Sequence, residues 1–261
     1  MNAIADYKFY VSEMEKGLQD KLFFMDKINF STLLDYGCAD GMLIESMSNY
    51  YPDKKYIGYD FDEKMIKLSK NKNIHNASFY SDLDIANNNI LNSTGKTAIL
   101  CSSLIHEVYS YGTKEDIKNF WNNLFSGTYD YVIIRDMTLS QEVKMEKTDP
   151  SDIQKLFENG DLDQIKEFES IWGSVWNKAN FIHYLMKYRY LKNWNREVME
   201  DYFPVSIQEH LAQIPHNFEI IHFEHFSLPF QREVILKDFG IEMNEKTHIK
   251  IILKCNKKSL I

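Results

Sequence analysis

Short apolar runs alternate with helix-patterned stretches through the first half of the chain. Residues 32–36, 55–59, 97–102 and 129–136 are compact apolar runs bounded by polar residues, and 77–80 is a shorter one. Runs of this length and density read as strands covered on both faces. Between them, 43–51 and 62–71 carry apolar residues at helical spacing. Pro52-Asp53 stops the first helix, and Asp62 stands where a cap for the second belongs. Thr113-Lys114-Glu115-Asp116 reads as a capped helix start, with Ile117, Phe120, Trp121 and Leu124 on one face. Five alternations of strand and helix predict a doubly wound sheet with parallel strands.

The alternation then stops. Residues 138–217 carry no convincing strand pattern. Asp149-Pro150 opens a helix that Asn159-Gly160 closes, and 162–172, 175–191, 197–202 and 207–214 follow as helical stretches. Strand patterns return at 218–226 and 248–254, with a helix at 231–239 between them. The expected fold is therefore α/β: a doubly wound, mostly parallel seven-stranded sheet with helices on both faces and a helical insertion after the fifth strand. Before the first strand, residues 5–28 repeat Tyr10, Met14, Leu18, Leu22 and Met25 at spacings of three and four, the mark of a helix. It either packs on the sheet edge or forms a lid, with Tyr7 or Tyr10 reaching a ligand. The expected organisation is an N-terminal helical lid over 1–30 and one domain over 31–261, including the 138–217 insertion.

One stretch carries chemistry. Asp35-Tyr36-Gly37-Cys38-Ala39-Asp40-Gly41 follows the first strand, and Asp60 ends the second. Small residues let the backbone approach a ligand. An acid about 20 residues beyond such a loop accepts hydrogen bonds from ribose hydroxyls. The loop lacks the third glycine of a dinucleotide fingerprint, which counts against an NAD-dependent oxidoreductase.

At these residues the chain resembles the class I S-adenosylmethionine-dependent methyltransferases. Their first motif, acid-x-G-x-G-x-G, is matched by Asp35, Gly37, Ala39 and Gly41, with alanine as the middle glycine. The resemblance runs at architectural level over 33–136. It implies S-adenosyl-L-methionine as cofactor and S-adenosyl-L-homocysteine as product. Asp35, Gly37, Cys38, Ala39 and Gly41 would form the donor loop, with Asp60 on the ribose. Phe61 and Met65 would pack on the adenine or in the core. Asp82 would contact the adenine amino group or cap a helix, and Ser102 would border the donor in the loop after the fourth strand. In that loop His106 and Glu107 are the candidate catalytic pair, a neutral imidazole being able to take a proton from an acceptor. The alternative is a histidine bonded to loop backbone. Arg135 would bind an anionic group or form a structural ion pair. The insertion would cover the acceptor, with Tyr10, Tyr188 and Arg189 as substrate contacts.

Methyl transfer from a sulfonium by direct in-line displacement needs orientation more than acid–base machinery, so the lack of a nucleophilic triad does not count against it. The expected acceptor is a small molecule. A methyltransferase of RNA or protein, and a non-catalytic Rossmann-fold binding protein, are the alternatives. Formal charge is −8, so the blanket positive field of a non-specific nucleic-acid binder is missing. The basic, aromatic-rich stretch from His183 to Arg196 is open to three readings: an RNA-facing helix, an anionic-substrate pocket or plain packing. No metal site is expected, since His106 and Glu107 have no spaced partner. Cys38, Cys101 and Cys255 form no C-x-x-C pair, which fits reduced thiols in a cytoplasmic protein. No signal-like start and no apolar run of about 18 residues is present, so no membrane span is expected.

Overall fold

The computed structural model of the chain describes residues 17–126 and 128–256. Seven strands form one sheet: β1 Thr32–Tyr36, β2 Lys55–Tyr59, β3 Ala77–Tyr80, β4 Thr97–Ser102, β5 Tyr131–Met137, β6 Phe218–Phe226 and β7 His248–Cys255, in spatial order 3-2-1-4-5-7-6. β1 to β5 pair in parallel. β7 lies between β5 and β6 and runs antiparallel to both, so the sheet is mixed at one edge. The expected mostly parallel sheet is thus parallel over β1 to β5 and antiparallel at its β7 pairings. An apolar run carries no mark of strand direction. A helix between two strands normally signals a parallel crossover, and the β6–β7 connection does not follow that rule.

Successive residues of each strand face opposite sides. Leu33 faces one core with Leu100, Ile133 and Ile252. There it meets Ile44 and Met47 of α2 (Met42–Tyr50), and Ile66 of α3 (Glu63–Asn71). Leu34 faces the other with Ile99, Ile134 and Ile251. On that side lie Ala86 and Ile90 of α4 (Leu83–Leu91), and Phe120, Trp121 and Leu124 of α6 (Lys114–Leu124). Between these two helices comes α5 (Ile105–Tyr111). The capping box on α6 is formed by Thr113 and Asp116, as its sequence predicts.

From β5 to β6 the described residues hold α7 (Gln141–Met145), α8 (Pro150–Asn159), α9 (Leu162–Trp172), α10 (Lys178–Lys187), a 3₁₀ turn, α11 (Trp194–Glu197) and α12 (Ile207–Gln213). α8, α9 and α10 share a third core, which also takes Ile235 and Phe239 of α13 (Pro229–Phe239). All three cysteines are buried and free.

Some expectations need correction. Within the described residues, the helix expected over 5–28 is the single turn α1 (Leu18–Lys21), followed by turns to Lys27; Tyr7 and Tyr10 lie outside the described residues. The helical stretch 175–191 is Lys178–Lys187, and 197–202 is replaced by the short α11 upstream. The segment after β4 is helix, not loop. Its N-terminal amides are satisfied by Asp136 of β5, so no local cap announces it.

Candidate functional site

The loop between β1 and α2 is shaped by three left-handed residues, Gly37 (φ 86°), Ala39 (φ 46°) and Gly41 (φ 77°). Its amides are tied to the end of β2. Gly37 N and Cys38 N donate to Tyr59 O at 2.8 and 2.9 Å. Ala39 N donates to Asp60 Oδ2 at 2.9 Å, and Asp62 N to Oδ1 at 2.9 Å. Burial raises the Asp60 pKa, opposed by those two N–H groups. A Cβ at Gly37 would sit 2.8 Å from Leu104 Cδ1. Gly58 in β2 is equally constrained: its Cβ would lie 2.4 Å from Phe79 and 2.8 Å from the Cys38 sulfur. The αL conformation of Ala39 costs roughly 1–2 kcal/mol that glycine would not incur.

A cavity of about 630 Å³ opens at the carboxyl ends of β1, β2, β4 and β5. The strand order reverses between β1 and β4, and open α/β sheets bind ligands at such a crevice. Gly37, Ala39, Asp60, Phe61, Ser102, His106, Glu107 and Arg135 line it, so eight of the expected residues meet there. The Phe61 ring is 61% exposed, free to cover a flat ligand. Ser102 Oγ is buried without a hydrogen-bond partner.

Other expected residues are absent from the cavity wall. The Cys38 side chain belongs to the core beneath the loop, and Gly41 starts α2 against Phe79 and Ser69. Asp35 is 2% exposed, its carboxyl pushed up to about 7 by burial against the opposing Lys21 charge. Met65 is half-buried on α3. Asp82 caps α4 through Asp84 N and Ile85 N, and its neighbour Leu83 lines the cavity. Tyr188 donates to Asp238 at 2.6 Å, and its ring meets Phe239 edge-on at 4.7 Å. That contact fastens α10 to α13, and neither Tyr188 nor Arg189 faces the site. The reason is helical phase: a stretch rich in aromatics and cations does not reveal which face looks inward.

His106 is organised by Asp136. Asp136 Oδ1 meets His106 Nδ1 at 2.7 Å, while Oδ2 accepts from Leu104 N (2.9 Å) and Ile105 N (2.6 Å). The carboxylate therefore caps α5 and orients the imidazole together, leaving Nε2 as the ring nitrogen available to a ligand. Burial lowers the His106 pKa, but the Asp136 charge and hydrogen bond, with Glu107 and Glu200 nearby, outweigh it and lift it to about 9.

Opposite stands a wall that sequence reading missed in part: Tyr190, Arg196, Glu197, Glu200 and Tyr202. Arg196 pairs with Glu107 (3.0 Å), Glu197 (3.3 Å) and Glu200 (2.7 Å). Tyr202 donates to Glu197, and Tyr111 to Glu200 at 2.9 Å. Burial, then Glu197 and Glu107, raise the Glu200 pKa. Behind the wall the ammonium of fully buried Lys187 donates to Glu197 O (2.7 Å) and Glu200 O (2.6 Å), over the Tyr202 ring. Burial lowers its pKa to about 7. His106, Glu107 and Glu200 offer ligand atoms within 4.8 Å of one another. Arg196 already supplies positive charge to both carboxylates, so this group reads as an ion-pair network. Arg135 is bound to Asp20 at 2.9 Å and donates to Ser103 Oγ at 2.9 Å.

No family model and no curated protein matches the chain. Among solved structures it is similar to the plantazolicin methyltransferase BpumL in complex with SAH (14% identity, TM-score 0.49, covering 95% of this chain and 87% of that chain). It is similar also to the methyltransferase domain of bacterial CtHen1-C (12% identity, TM-score 0.46, covering 93% and 98%). A third similar structure concerns the conversion of a disulfide bond into a thioacetal group during echinomycin biosynthesis (10% identity, TM-score 0.47, covering 92% and 83%).

Proposed function

We propose that this chain is an S-adenosylmethionine-dependent methyltransferase acting on a small-molecule acceptor. One observation carries the reading. The Asp60 carboxylate is locked to the Gly37–Gly41 loop through Ala39 N, and it borders a cavity that continues to a carboxylate-oriented histidine. The chain's own groups fit the nucleoside donor: a carboxylate for ribose hydroxyls, an exposed Phe61 ring for the base, and a loop whose Gly37 admits no side chain. When bound, S-adenosylmethionine supplies an electrophilic methyl group whose leaving group is a neutral thioether.

The remaining work falls to this chain's residues. Asp60 holds the ribose, each oxygen having a lone pair beyond its backbone bond. His106 takes the acceptor proton at Nε2, and Asp136 stabilises the imidazolium that results. The residues between β5 and β6, with Arg196, Glu197, Glu200 and Tyr202 at the cavity, act as the acceptor cover and exclude water. The turn at Gly17 and Lys21 closes the other side, as the described part of an N-terminal lid. A small acceptor is favoured because Arg135 and Arg196, the arginines of the cavity wall, are both held by carboxylates and offer no track for phosphates. Among the described residues, no helix is long and apolar enough to cross a membrane.

Calorimetric titration tests this. S-adenosylmethionine and S-adenosylhomocysteine should bind and NAD should not. Micromolar NAD binding with no response to either sulfur nucleoside overturns the assignment. Asp60→Ala removes charge-assisted bonds of roughly 1.5–3 kcal/mol, so affinity for S-adenosylhomocysteine should fall about tenfold to a hundredfold. A strongly salt-dependent affinity for RNA would move the acceptor to the nucleic-acid alternative.

A further inference from the structure

Among the described residues, three lysine and arginine side chains line the cavity: Lys21, Arg135 and Arg196. Two are neutralised where they stand. Arg135 is paired with Asp20, and Arg196 with Glu107, Glu197 and Glu200. Lys21 is different. Its backbone is bonded to Gly17, but its ammonium makes no hydrogen bond or ion pair among the described residues. The adjacent Asp20 is committed elsewhere, with Oδ2 on Arg135 and Oδ1 on Lys250 at 2.5 Å. That double bridge pins α1 to β5 and β7, which fixes where the Lys21 side chain enters.

An ammonium drawn out of water without a partner is costly, and buried charges in proteins are ordinarily paired. An anion entering the cavity would supply that partner. Its position says which anion. The charges that act on Lys21 are Arg135 and Asp136 of β5, Asp35 of β1 and Asp20 of its own turn. His248 and Lys250 of β7 complete the surroundings. Lys21 therefore lies toward β1 and β5, whereas Asp60 ends β2, on the other side of β1. A nucleoside held at its ribose by Asp60 and extending across the Gly37 loop presents its far end toward Lys21. In the proposed donor that far end is an α-amino acid.

We infer that Lys21 binds the α-carboxylate of the donor's amino-acid tail, an assignment that rests on the methyltransferase reading above. The electrostatics agree with the geometry. Burial first, then Arg135, lowers the Lys21 pKa to about 8, with Asp35, Asp20 and Asp136 opposing. A carboxylate arriving beside it restores the protonated form. Binding near pH 8.5 then takes up protons.

The test compares two ligands on full-length wild type, Lys21→Met and Lys21→Gln. One ligand is S-adenosylhomocysteine. The other is S-adenosyl-3-thiopropylamine, which lacks only the carboxylate. Lys21→Met should weaken S-adenosylhomocysteine about tenfold to a hundredfold and leave the decarboxylated ligand unchanged, with Lys21→Gln serving should the first variant not fold. Calorimetry at pH 8.5 in buffers of different ionisation enthalpy should show proton uptake with S-adenosylhomocysteine in wild type and none in the variant. Equal losses for both ligands, or no loss for either, overturn the Lys21 assignment while the donor assignment stands. Wild type that binds neither ligand overturns the methyltransferase reading and this one with it.

Discussion

Asp136 shows how one side chain can serve structure and chemistry together. It is fully buried, and its four hydrogen bonds go to Leu104 N, Ile105 N, Met137 N and His106 Nδ1. The His106 charge and hydrogen bond, with the Met137 and Ile105 N–H groups, hold its pKa down against burial. The same pairing decides the state of His106. With a pKa near 9, the ring is an imidazolium at neutral pH and becomes a base only as pH rises. If Nε2 accepts the acceptor's proton, log kcat/KM should climb with unit slope up to about pH 9 and then level, since kcat/KM reports the free enzyme. His106→Gln should abolish that limb. A flat wild-type profile between pH 7 and 9 would move the base elsewhere. Tyr188 carries a different lesson. Its ring and hydroxyl meet α13 outside the cavity wall, a placement that no residue-level property encodes.

At the scale of elements, the strands were the most legible part of the chain. β1, β2, β3 and β4 lie where their apolar runs predict, because a strand buried on both faces must be apolar throughout. α4 was silent in the sequence. Its Asn87-Asn88-Asn89 run disfavours helix on propensity, and tertiary packing of Ala86 and Ile90 overrides it. α5 was hidden for another reason, its cap coming from a strand some 30 residues on. The short α11 and the segment after it carry the Arg196 wall of the cavity, supported from behind by Lys187 of α10. Two tyrosines of the same region should respond differently to loss of the hydroxyl. Tyr202→Phe removes the donor to Glu197 and should lower acceptor turnover several-fold with donor affinity retained. Tyr188→Phe and Arg189→Ala should leave both quantities close to wild type. Steady-state rates and calorimetric affinities on folded protein separate the two. Equal damage from Tyr188→Phe would place the acceptor on the α10–α13 side.

For the whole molecule, the site lies where three bodies of structure meet: the parallel strand ends, the turn at α1, and the helices between β5 and β6. Each contributes charged groups that are incompletely solvated, so a ligand joining them should stabilise all three. Binding to the native state alone adds RT ln(1 + [L]/Kd), or about 2.7 kcal/mol at a hundredfold excess over Kd. For a chain of this size that corresponds to a rise of roughly 5–10 °C in the unfolding midpoint. Thermal unfolding with and without S-adenosylhomocysteine measures it. No shift at saturating ligand would mean that the nucleoside does not enter this cavity.

The sequence by itself determined the alternation of strands and helices, the Gly37–Gly41 loop, the acid at Asp60 and the break in pattern after β5. Each is a local property: periodicity, turn chemistry or a spacing along one βαβ unit. Tertiary structure alone decided the direction of β7, the inward face of α10, the Asp136–His106 pair and the Arg196 wall. It also decided that Cys38 and Gly41 support the loop from beneath, outside the cavity. These depend on distances between residues remote in the chain, and on which charges find partners once buried. A sequence states that Lys21 is a lysine. Only the fold takes away its neighbour Asp20 and turns the ammonium, unpaired among the described residues, toward the cavity.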